Sequence, residues 1–198
     1  MSDIINKDTL DENRLISLLK QGNEDAFRIL ILRYQARLFA VAYGITLDRE
    51  ESLDIVQEVF IKVWQKIHTF RDESKLSTWL RRITVNQCLN WQRRWKRRFR
   101  WRHQPLETDE AGDYPELGTN DYHPETLYRK KELEKVLWEK LKELPEEARA
   151  VFVLRETQEL SYDEIAEILN IKRGTVSSRL YYARQKLKES LKEYQDEG

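Results

Sequence analysis

The sequence contains few of the residues that mark several large classes of protein. Its 198 residues include one cysteine, six glycines and four prolines, which excludes a disulfide scaffold and a collagen-like chain. The lone Cys88 predicts a reducing compartment. No run approaches the roughly 18 consecutive apolar residues of a membrane span, and the first residues lack the apolar core of a signal peptide. We therefore expect a cytoplasmic protein without membrane insertion.

The patterns expected of metal and nucleotide sites are also missing. The three histidines, His68, His103 and His123, lie far apart and have no cysteine or carboxylate at ligand spacing. The glycine-rich phosphate-binding patterns of P-loop and dinucleotide-binding folds do not occur. We therefore expect no metal, no cofactor and no catalytic residues, which predicts a protein that is not an enzyme.

The formal net charge of zero hides a separation of charge along the chain. From Lys75 to Arg102 the sequence has ten lysines and arginines and no acid. From Glu107 to Glu125 it has seven acids and no lysine or arginine. A basic block followed by an acidic one predicts that these two segments of the chain have different roles.

Apolar residues at spacings of three and four predict helices along most of the chain, with no strand pattern and no internal repeat. In the first half we expect helices over residues 24–44 and 50–67, and a third that begins near Ser77, a residue able to cap it. The acidic stretch with its prolines and glycines, residues 102–125, predicts a linker. Helical spacing returns over residues 126–144.

Two short helices joined by a tight turn near the C-terminal end are typical of a helix-turn-helix. Pro145 suits the first turn of the helix that precedes them. Ser161 and Glu164 form a capping box that opens the first of the two, and Asn170 in the turn tolerates left-handed geometry. The outer face of the second helix carries side chains that can contact DNA: Arg173, Thr175, Ser177, Ser178, Arg179, Tyr182 and Arg184. A plain helical hairpin is the alternative.

A second candidate for nucleic-acid contact is the tract NWQRRWKRRFRWRH, residues 90–103. Cations meet phosphates and aromatic faces stack on bases, so the mixture suits nucleic acid. A solvated charge run with its aromatic rings packed back on the domain is the alternative. Within the same predicted helix, a polar stripe without any acid is formed by Arg82, Asn86, Asn90 and Arg93.

Two stretches together resemble the sigma-70 family, and specifically its short extracytoplasmic-function (ECF) group. Residues 54–94, DIVQEVFIKVWQKIHTFRDESKLSTWLRRITVNQCLNWQRR, resemble region 2. Residues 144–187, LPEEARAVFVLRETQELSYDEIAEILNIKRGTVSSRLYYARQKL, resemble region 4. The resemblance covers about residues 24–95 and 127–191.

The resemblance implies an all-α fold of two small helical domains joined by an acidic linker. Its divisions are a lead-in helix at residues 1–23, region 2 at 24–95, a basic then acidic linker at 96–126 and region 4 at 127–193. The helix-turn-helix lies at about 161–187.

The implied function is that of a dissociable initiation subunit of bacterial RNA polymerase, which binds the clamp of the largest subunit and the flap. Residues implied to dock on the polymerase are Asp54, Ile55, Val56, Gln57, Glu58, Phe60 and Trp64. Residues implied to recognise the promoter's −10 element are Arg71, Asp72, Ser74, Lys75, Leu76, Trp79, Arg82, Asn86, Asn90 and Arg93. The candidate contacts of the helix-turn-helix would read the −35 element. The resemblance also implies a cognate anti-sigma factor and a monomeric free protein.

The sequence departs from the family at the recognition helix. Ser177 and Tyr182 stand where basic or histidine side chains are common, so the −35 sequence cannot be copied from a relative. Two other functions are open. One is a stand-alone helix-turn-helix regulator that binds duplex DNA. The other is an RNA-binding or nucleic-acid-processing enzyme, which would need carboxylates or a metal site near the acid-free tract.

Overall fold

The computed structural model describes residues 11–71, 74–99 and 136–196. These residues form α-helices and one 3-10 turn, and they contain no strand. The N-terminal half consists of α1 (Glu12–Lys20), α2 (Glu24–Thr46), α3 (Arg49–Lys66), the 3-10 turn Ile67–Thr69 and α4 (Leu76–Phe99). The C-terminal half consists of α5 (residues 136–142), α6 (Glu146–Glu156), α7 (Tyr162–Leu169) and α8 (Arg173–Asp196). The predicted all-α class is confirmed. The predicted acidic linker and the first ten residues lie outside the described residues.

Side-chain caps and left-handed residues set where several helices begin and end. The Asn23 side chain accepts from the backbone of Ala26 at the start of α2, at 2.8 Å. The predicted Ser161 capping box is present at the start of α7. Asn170 ends α7 with φ at 52° and ψ at 50°, so the left-handed geometry expected of this residue is confirmed.

The third helix begins near Ser77 as predicted, but Ser77 does not cap it, and Pro145 does not lie in the first turn of its helix. The carbonyl of Lys75 accepts from the amides of Thr78 and Trp79, at 3.0 and 3.2 Å, so α4 begins at Leu76 and Ser77 lies inside its first turn. Pro145 is the residue before α6 and not part of its first turn, because its ψ of 140° is extended. Neither difference moves a side chain to another face of its helix.

In the N-terminal half, α2, α3 and α4 pack against one another, and α1 lies across α2. The apolar spacing correctly predicted much of this core. Its fully buried side chains include Leu15, Leu19, Leu30, Leu38, Val59, Val63, Leu80 and Val85. The amide of Gln92 donates to the carbonyl of Ile45 at 2.8 Å, which ties the second half of α4 to the end of α2. This tie positions the basic part of α4.

In the C-terminal half, α7 and α8 form the predicted helix-turn-helix, and α6 packs against both. The inner face of α8 is as expected, since its four apolar residues are buried: Val176, Leu180, Ala183 and Leu187. The opposite face of α8 is turned to solvent. The protein thus presents the second helix of the motif in an accessible position.

The two halves also pack against each other. One continuous apolar core contains residues of α2 to α4 together with residues of α6 to α8. The aromatic rings of Tyr43 and Trp138 meet edge to face, with centroids 5.1 Å apart. A larger apolar area is buried in this way than either half would bury alone.

Candidate polymerase-docking groove and DNA-binding faces

An apolar groove of about 960 Å³ runs between α2 and α3. Its apolar lining includes Phe27, Ile31, Phe39, Leu53, Val56, Phe60, Ile61 and Trp64. Leu53, Ile61 and Trp64 are 42%, 57% and 40% exposed. Large apolar side chains that lie together at a surface mark an interaction site more often than they mark chance exposure.

Aromatic rings form the floor of this groove. The ring of Phe27 meets the ring of Trp64 at a centroid distance of 4.9 Å and that of Phe60 at 6.4 Å, both edge to face. Polar side chains form the rim: Glu24, Arg28, Gln35, Gln57 and Gln65. An aromatic floor with a polar rim is the arrangement that receives a partner helix or strand in many protein complexes.

The groove gathers only some of the residues that the resemblance assigned to polymerase docking. Val56, Gln57, Phe60 and Trp64 line it. Ile55 is instead buried in the core. Asp54 and Glu58 are exposed on α3 but do not line the groove.

Sequence reasoning did not assign to the groove its five other large apolar residues: Phe27, Ile31, Phe39, Leu53 and Ile61. A signal for two of them was present in α3. Leu53, Ile61 and Trp64 extend the apolar stripe of α3 beyond the width that one core-facing side requires. A helix with too broad an apolar stripe has a second surface to cover.

A polar cleft of about 630 Å³ lies between α3 and α4, on another face of α3. It is lined by Glu58, Lys62, Gln87, Asn90, Arg93, Arg94, Lys96 and Arg97. The only acid in this lining, Glu58, accepts from the Gln87 amide at 2.5 Å. Five cations around one acid make the cleft strongly positive, which favours a polyanion.

The polar stripe of α4 has two different environments. Asn86, Asn90 and Arg93 are exposed, and Arg93 donates to Asn90 at 3.3 Å. Arg82 instead donates to the backbone carbonyl and to the carboxylate of Glu167 on α7, at 3.0 and 3.1 Å. The predicted stripe is therefore open to solvent over its second half and engaged with the C-terminal half of the protein at its start.

The remaining residues assigned to the −10 element lie around the start of α4. Leu76 is fully buried, so its side chain is not at the surface. Trp79 is partly buried against Phe70, with a centroid distance of 5.3 Å. On the segment before α4, Arg71 and Lys75 are exposed and Ser74 is half-buried. Asp72 lies outside the described residues.

The candidate contacts on α8 lie on its outer side. Exposed members are Arg173, Ser177, Ser178, Tyr182 and Arg184, while Thr175 and Arg179 are half-buried. Sequence reasoning did not include Tyr181, which is 67% exposed.

Two of these arginines already have acidic partners. The Arg184 guanidinium donates a hydrogen bond of 2.6 Å to the carboxylate of Glu156 on α6. This hydrogen bond raises the pKa of Arg184. Arg173 lies 3.6 Å from Asp163. DNA phosphates would have to compete with these carboxylates.

The lone cysteine has a structural role. Cys88 is completely buried in α4, and burial raises the pKa of its thiol to about 12. Such a thiol is inert. Within the described ranges, no group of three histidine, cysteine or acidic residues is placed to hold a metal ion. The helices described are all too short or too polar to cross a membrane.

Comparison with known proteins decides which family has this arrangement. Residues 30–99 match the model of sigma-70 region 2, and residues 134–187 match that of sigma-70 region 4. The ECF RNA polymerase sigma-E factor of Haemophilus influenzae is 34% identical over 92% of this chain and 96% of its own. This chain belongs to the ECF group of sigma-70 factors. The ECF sigma factor SigW of Bacillus subtilis is 32% identical over 90% of the chain and 95% of its own.

Two solved structures share the fold of this ECF chain. The sigma factor RpoE of Bartonella quintana, solved in complex with the anti-sigma factor NepR, superposes with a TM-score of 0.67. It is 25% identical and covers 84% of this chain and 96% of its own. CnrH, solved with the cytosolic domain of CnrY, superposes with a TM-score of 0.64 at 21% identity, over 91% of this chain and 97% of its own. The family identified from the two sequence stretches is confirmed by the two family models and by the two curated relatives.

Proposed function

We propose that this ECF factor docks on core RNA polymerase through the α2–α3 groove and reads promoter DNA with α4 and α8. The observation that carries the proposal is the groove itself, in which the 40% exposed Trp64 packs against Phe27 and Phe27 in turn meets Phe60. An exposed aromatic surface promotes aggregation, so we expect a partner protein to cover it. The protein would act by binding alone, as a monomer in the cytoplasm, without catalysing a reaction.

The promoter's −10 element would be read by the exposed part of α4. Separating the strands of DNA costs about 1.4 kcal/mol per base-pair step. Contacts to the exposed strand must offset this cost, and the cleft supplies cations for its phosphates. Asn86, Asn90 and Arg93 lie on the exposed face of α4, where they can meet base edges.

The −35 element would be read as duplex by α8. The second helix of a helix-turn-helix enters the major groove with its first residues against the bases. Arg173 can contact guanine with two hydrogen bonds, while Ser177 and Ser178 are equally suited to phosphates. The exposed Tyr181 and Tyr182 add apolar surface to this face.

An anti-sigma factor is the second protein partner we propose. The RpoE structure holds one, NepR. The α2–α3 groove offers such a partner the same aromatic floor that it offers to polymerase. Binding there would exclude polymerase by direct competition for one surface.

The test is co-migration of the purified chain with sigma-free bacterial core polymerase on a sizing column. Trp64→Ala and Gln57→Ala, both in the groove, are compared with Lys66→Ala, an exposed residue of α3 outside the groove lining. We expect Trp64→Ala to weaken binding by at least about tenfold, with a smaller loss for Gln57→Ala and none for Lys66→Ala. A wild-type chain that ignores core polymerase but shifts duplex DNA alone would instead be a stand-alone regulator.

A further inference from the structure

The start of α4 receives a capping group from another helix. The first amides of a helix have no partner within it, and the side chain of the preceding residue often supplies one. Lys75 precedes α4, and its side chain can only donate hydrogen bonds. The Glu12 carboxylate, in the first turn of α1, accepts from the amide of Leu76 at 3.3 Å, across 64 positions of the chain. A carboxylate at this end of a helix also interacts favourably with the helix dipole.

Tyr34 of α2 orients this carboxylate. Its hydroxyl donates to the second oxygen of Glu12 at 3.3 Å. Burial and the nearby Glu12 carboxylate raise the pKa of Tyr34, so the hydroxyl stays protonated and remains a donor. The half-buried Glu12 thus has one carboxylate oxygen engaged by α2 and the other by α4.

The peptide unit between Lys75 and Leu76 is held through both of its polar groups. Its N–H donates to Glu12. Its C=O accepts from the amides of Thr78 and Trp79, at 3.0 and 3.2 Å. Because a peptide unit is planar, fixing these two groups fixes its orientation. Glu12 therefore helps to set the course of the backbone where the exposed Lys75 leads into α4.

The other end of α1 contacts the chain farther upstream. The Lys20 ammonium lies 5.8 Å from the centroid of the Phe70 ring. Phe70 in turn packs against Trp79, with a centroid distance of 5.3 Å. The helix also packs against the 3-10 turn Ile67–Thr69. One helix thus contacts the chain both where it leaves the 3-10 turn and where it enters α4.

We propose that Glu12 is a positioning residue for recognition of the −10 element, and that it holds the start of α4 in the arrangement that binds DNA bases. The proposal rests on the proposed role of α4 in −10 recognition. It extends that role to α1, which the resemblance treats only as a lead-in helix. Lys75 and Trp79, both assigned to the −10 element, share the hydrogen bond next to the cap. A site that is ordered before DNA arrives loses less conformational entropy on binding.

Selection of DNA by the holoenzyme, the chain assembled with core polymerase, tests the proposal. Sequences are selected from a labelled pool of single-stranded DNA with a randomised six-nucleotide window, and core polymerase alone gives the background. The readout is the affinity for the selected pool divided by the affinity for the unselected pool. This ratio reports recognition of bases, because phosphate contacts carry no sequence information and contribute equally to both pools.

Three variants are compared with the wild type. Glu12→Ala removes the cap, whereas Glu12→Gln keeps an oxygen that can accept from the Leu76 amide. Asp11→Ala removes the neighbouring acid, whose side chain makes no capping hydrogen bond. We expect the ratio to fall about fivefold in Glu12→Ala, the size of effect that loss of a cap has on an equilibrium. We expect a loss of about twofold in Glu12→Gln, no loss in Asp11→Ala, and unchanged assembly with core polymerase throughout.

An unchanged ratio in Glu12→Ala would overturn the proposal. An equal loss of assembly with core polymerase would overturn it too, because Glu12 would then serve only the stability of the fold. Tyr34→Phe gives a second measurement, since its hydroxyl is proposed to act through Glu12. Added to Glu12→Ala, it should lower the ratio no further, and additive losses would contradict the proposal.

The outcome for the wild type separates this proposal from the one on which it rests. If the wild-type holoenzyme selects no sequence from the pool, the proposed role of α4 in −10 recognition fails, and the role of Glu12 fails with it. If the wild type selects a sequence and Glu12→Ala selects it equally well, only the role of Glu12 fails.

Discussion

The N-terminal half presents two unlike surfaces along one helix, the apolar α2–α3 groove and the basic α3–α4 cleft. Ile61 and Lys62 are neighbours in sequence, yet Ile61 lines the groove and Lys62 lines the cleft. Apolar contact depends little on salt, whereas the binding of phosphates weakens as the salt concentration rises, because the release of counterions from the nucleic acid then gains less free energy. One three-helix unit can thus hold a protein partner firmly and a nucleic acid reversibly.

The largest effect is expected from placing a charge in the groove. Ile61→Arg would bury a guanidinium against the aromatic floor when polymerase docks, at a cost of about 2 kcal/mol, so binding should fall by about 30-fold. Titration of labelled core polymerase measures this loss. DNA binding by the same variant should stay unchanged or improve slightly, and an equal loss of both activities would mean that the two surfaces are not separate.

The next effect is expected from removing charge in the cleft. The triple variant Arg93→Ala, Arg94→Ala, Arg97→Ala would lose three phosphate contacts. The slope of log affinity for single-stranded DNA against log salt should become shallower by about 2, at about 0.7 per contact. Titrations at several salt concentrations measure the slope. An unchanged slope would show that these arginines do not meet phosphates, whatever happens to the affinity at one salt concentration.

A smaller effect distinguishes the two surfaces at a single residue. The resemblance assigns Glu58 to polymerase docking, whereas the structure places it among the cations of the cleft. Glu58→Gln should therefore tighten binding of single-stranded DNA about threefold and leave polymerase binding unchanged. A loss of polymerase binding without a gain in DNA binding would support the assignment from resemblance. Asp54→Asn, a neutralised acid on the same helix outside the cleft lining, is the matched control.

The smallest effect concerns α7, which packs against α6 and α8 of its own half and against α4 of the other half. Hydrogen bonds from Ser161 lower the pKa of Glu164, burial opposes them, and the weaker attraction of Lys75 and Arg81 of α4 lowers the pKa further. A depressed pKa in the folded protein stabilises it above the unfolded value of about 4.3, and this contribution is lost as the pH falls through the folded value.

Glu164→Gln removes this titration and keeps a capping side chain. The melting temperature of the variant should be lower than that of the wild type at pH 7, and the difference should shrink as the pH falls below about 4. Melting curves from pH 7 to pH 3 measure it. A difference that is independent of pH would mean that the carboxylate charge contributes nothing.

Local patterns predicted the helices well because their causes are local. The spacing of Leu30, Tyr34 and Leu38 places α2 correctly, and the Ser161 capping box requires only residues within one turn. The same spacing could not separate core from groove. Leu53 and Val63 share the apolar pattern of α3, but only Val63 is buried, since burial depends on which helices lie alongside.

Contacts between distant parts of the chain were beyond such reasoning. The pairing of Arg82 with Glu167 joins residues 85 positions apart, and no local pattern encodes it. The position of Glu58 in the cleft depends in the same way on how α3 is rotated against α4. The resemblance could name the helices of the site, but only the packing shows which side of each helix is free.

The most direct test of two separate surfaces is a double-mutant cycle between Ile61→Arg in the groove and Arg93→Ala in the cleft. Polymerase binding and single-stranded DNA binding are measured for the wild type, the two single variants and the double variant. The account predicts that the effects add in both reactions, with a coupling energy below about 0.5 kcal/mol. A coupling above about 1 kcal/mol in either reaction would contradict it, because the two residues would then belong to one site.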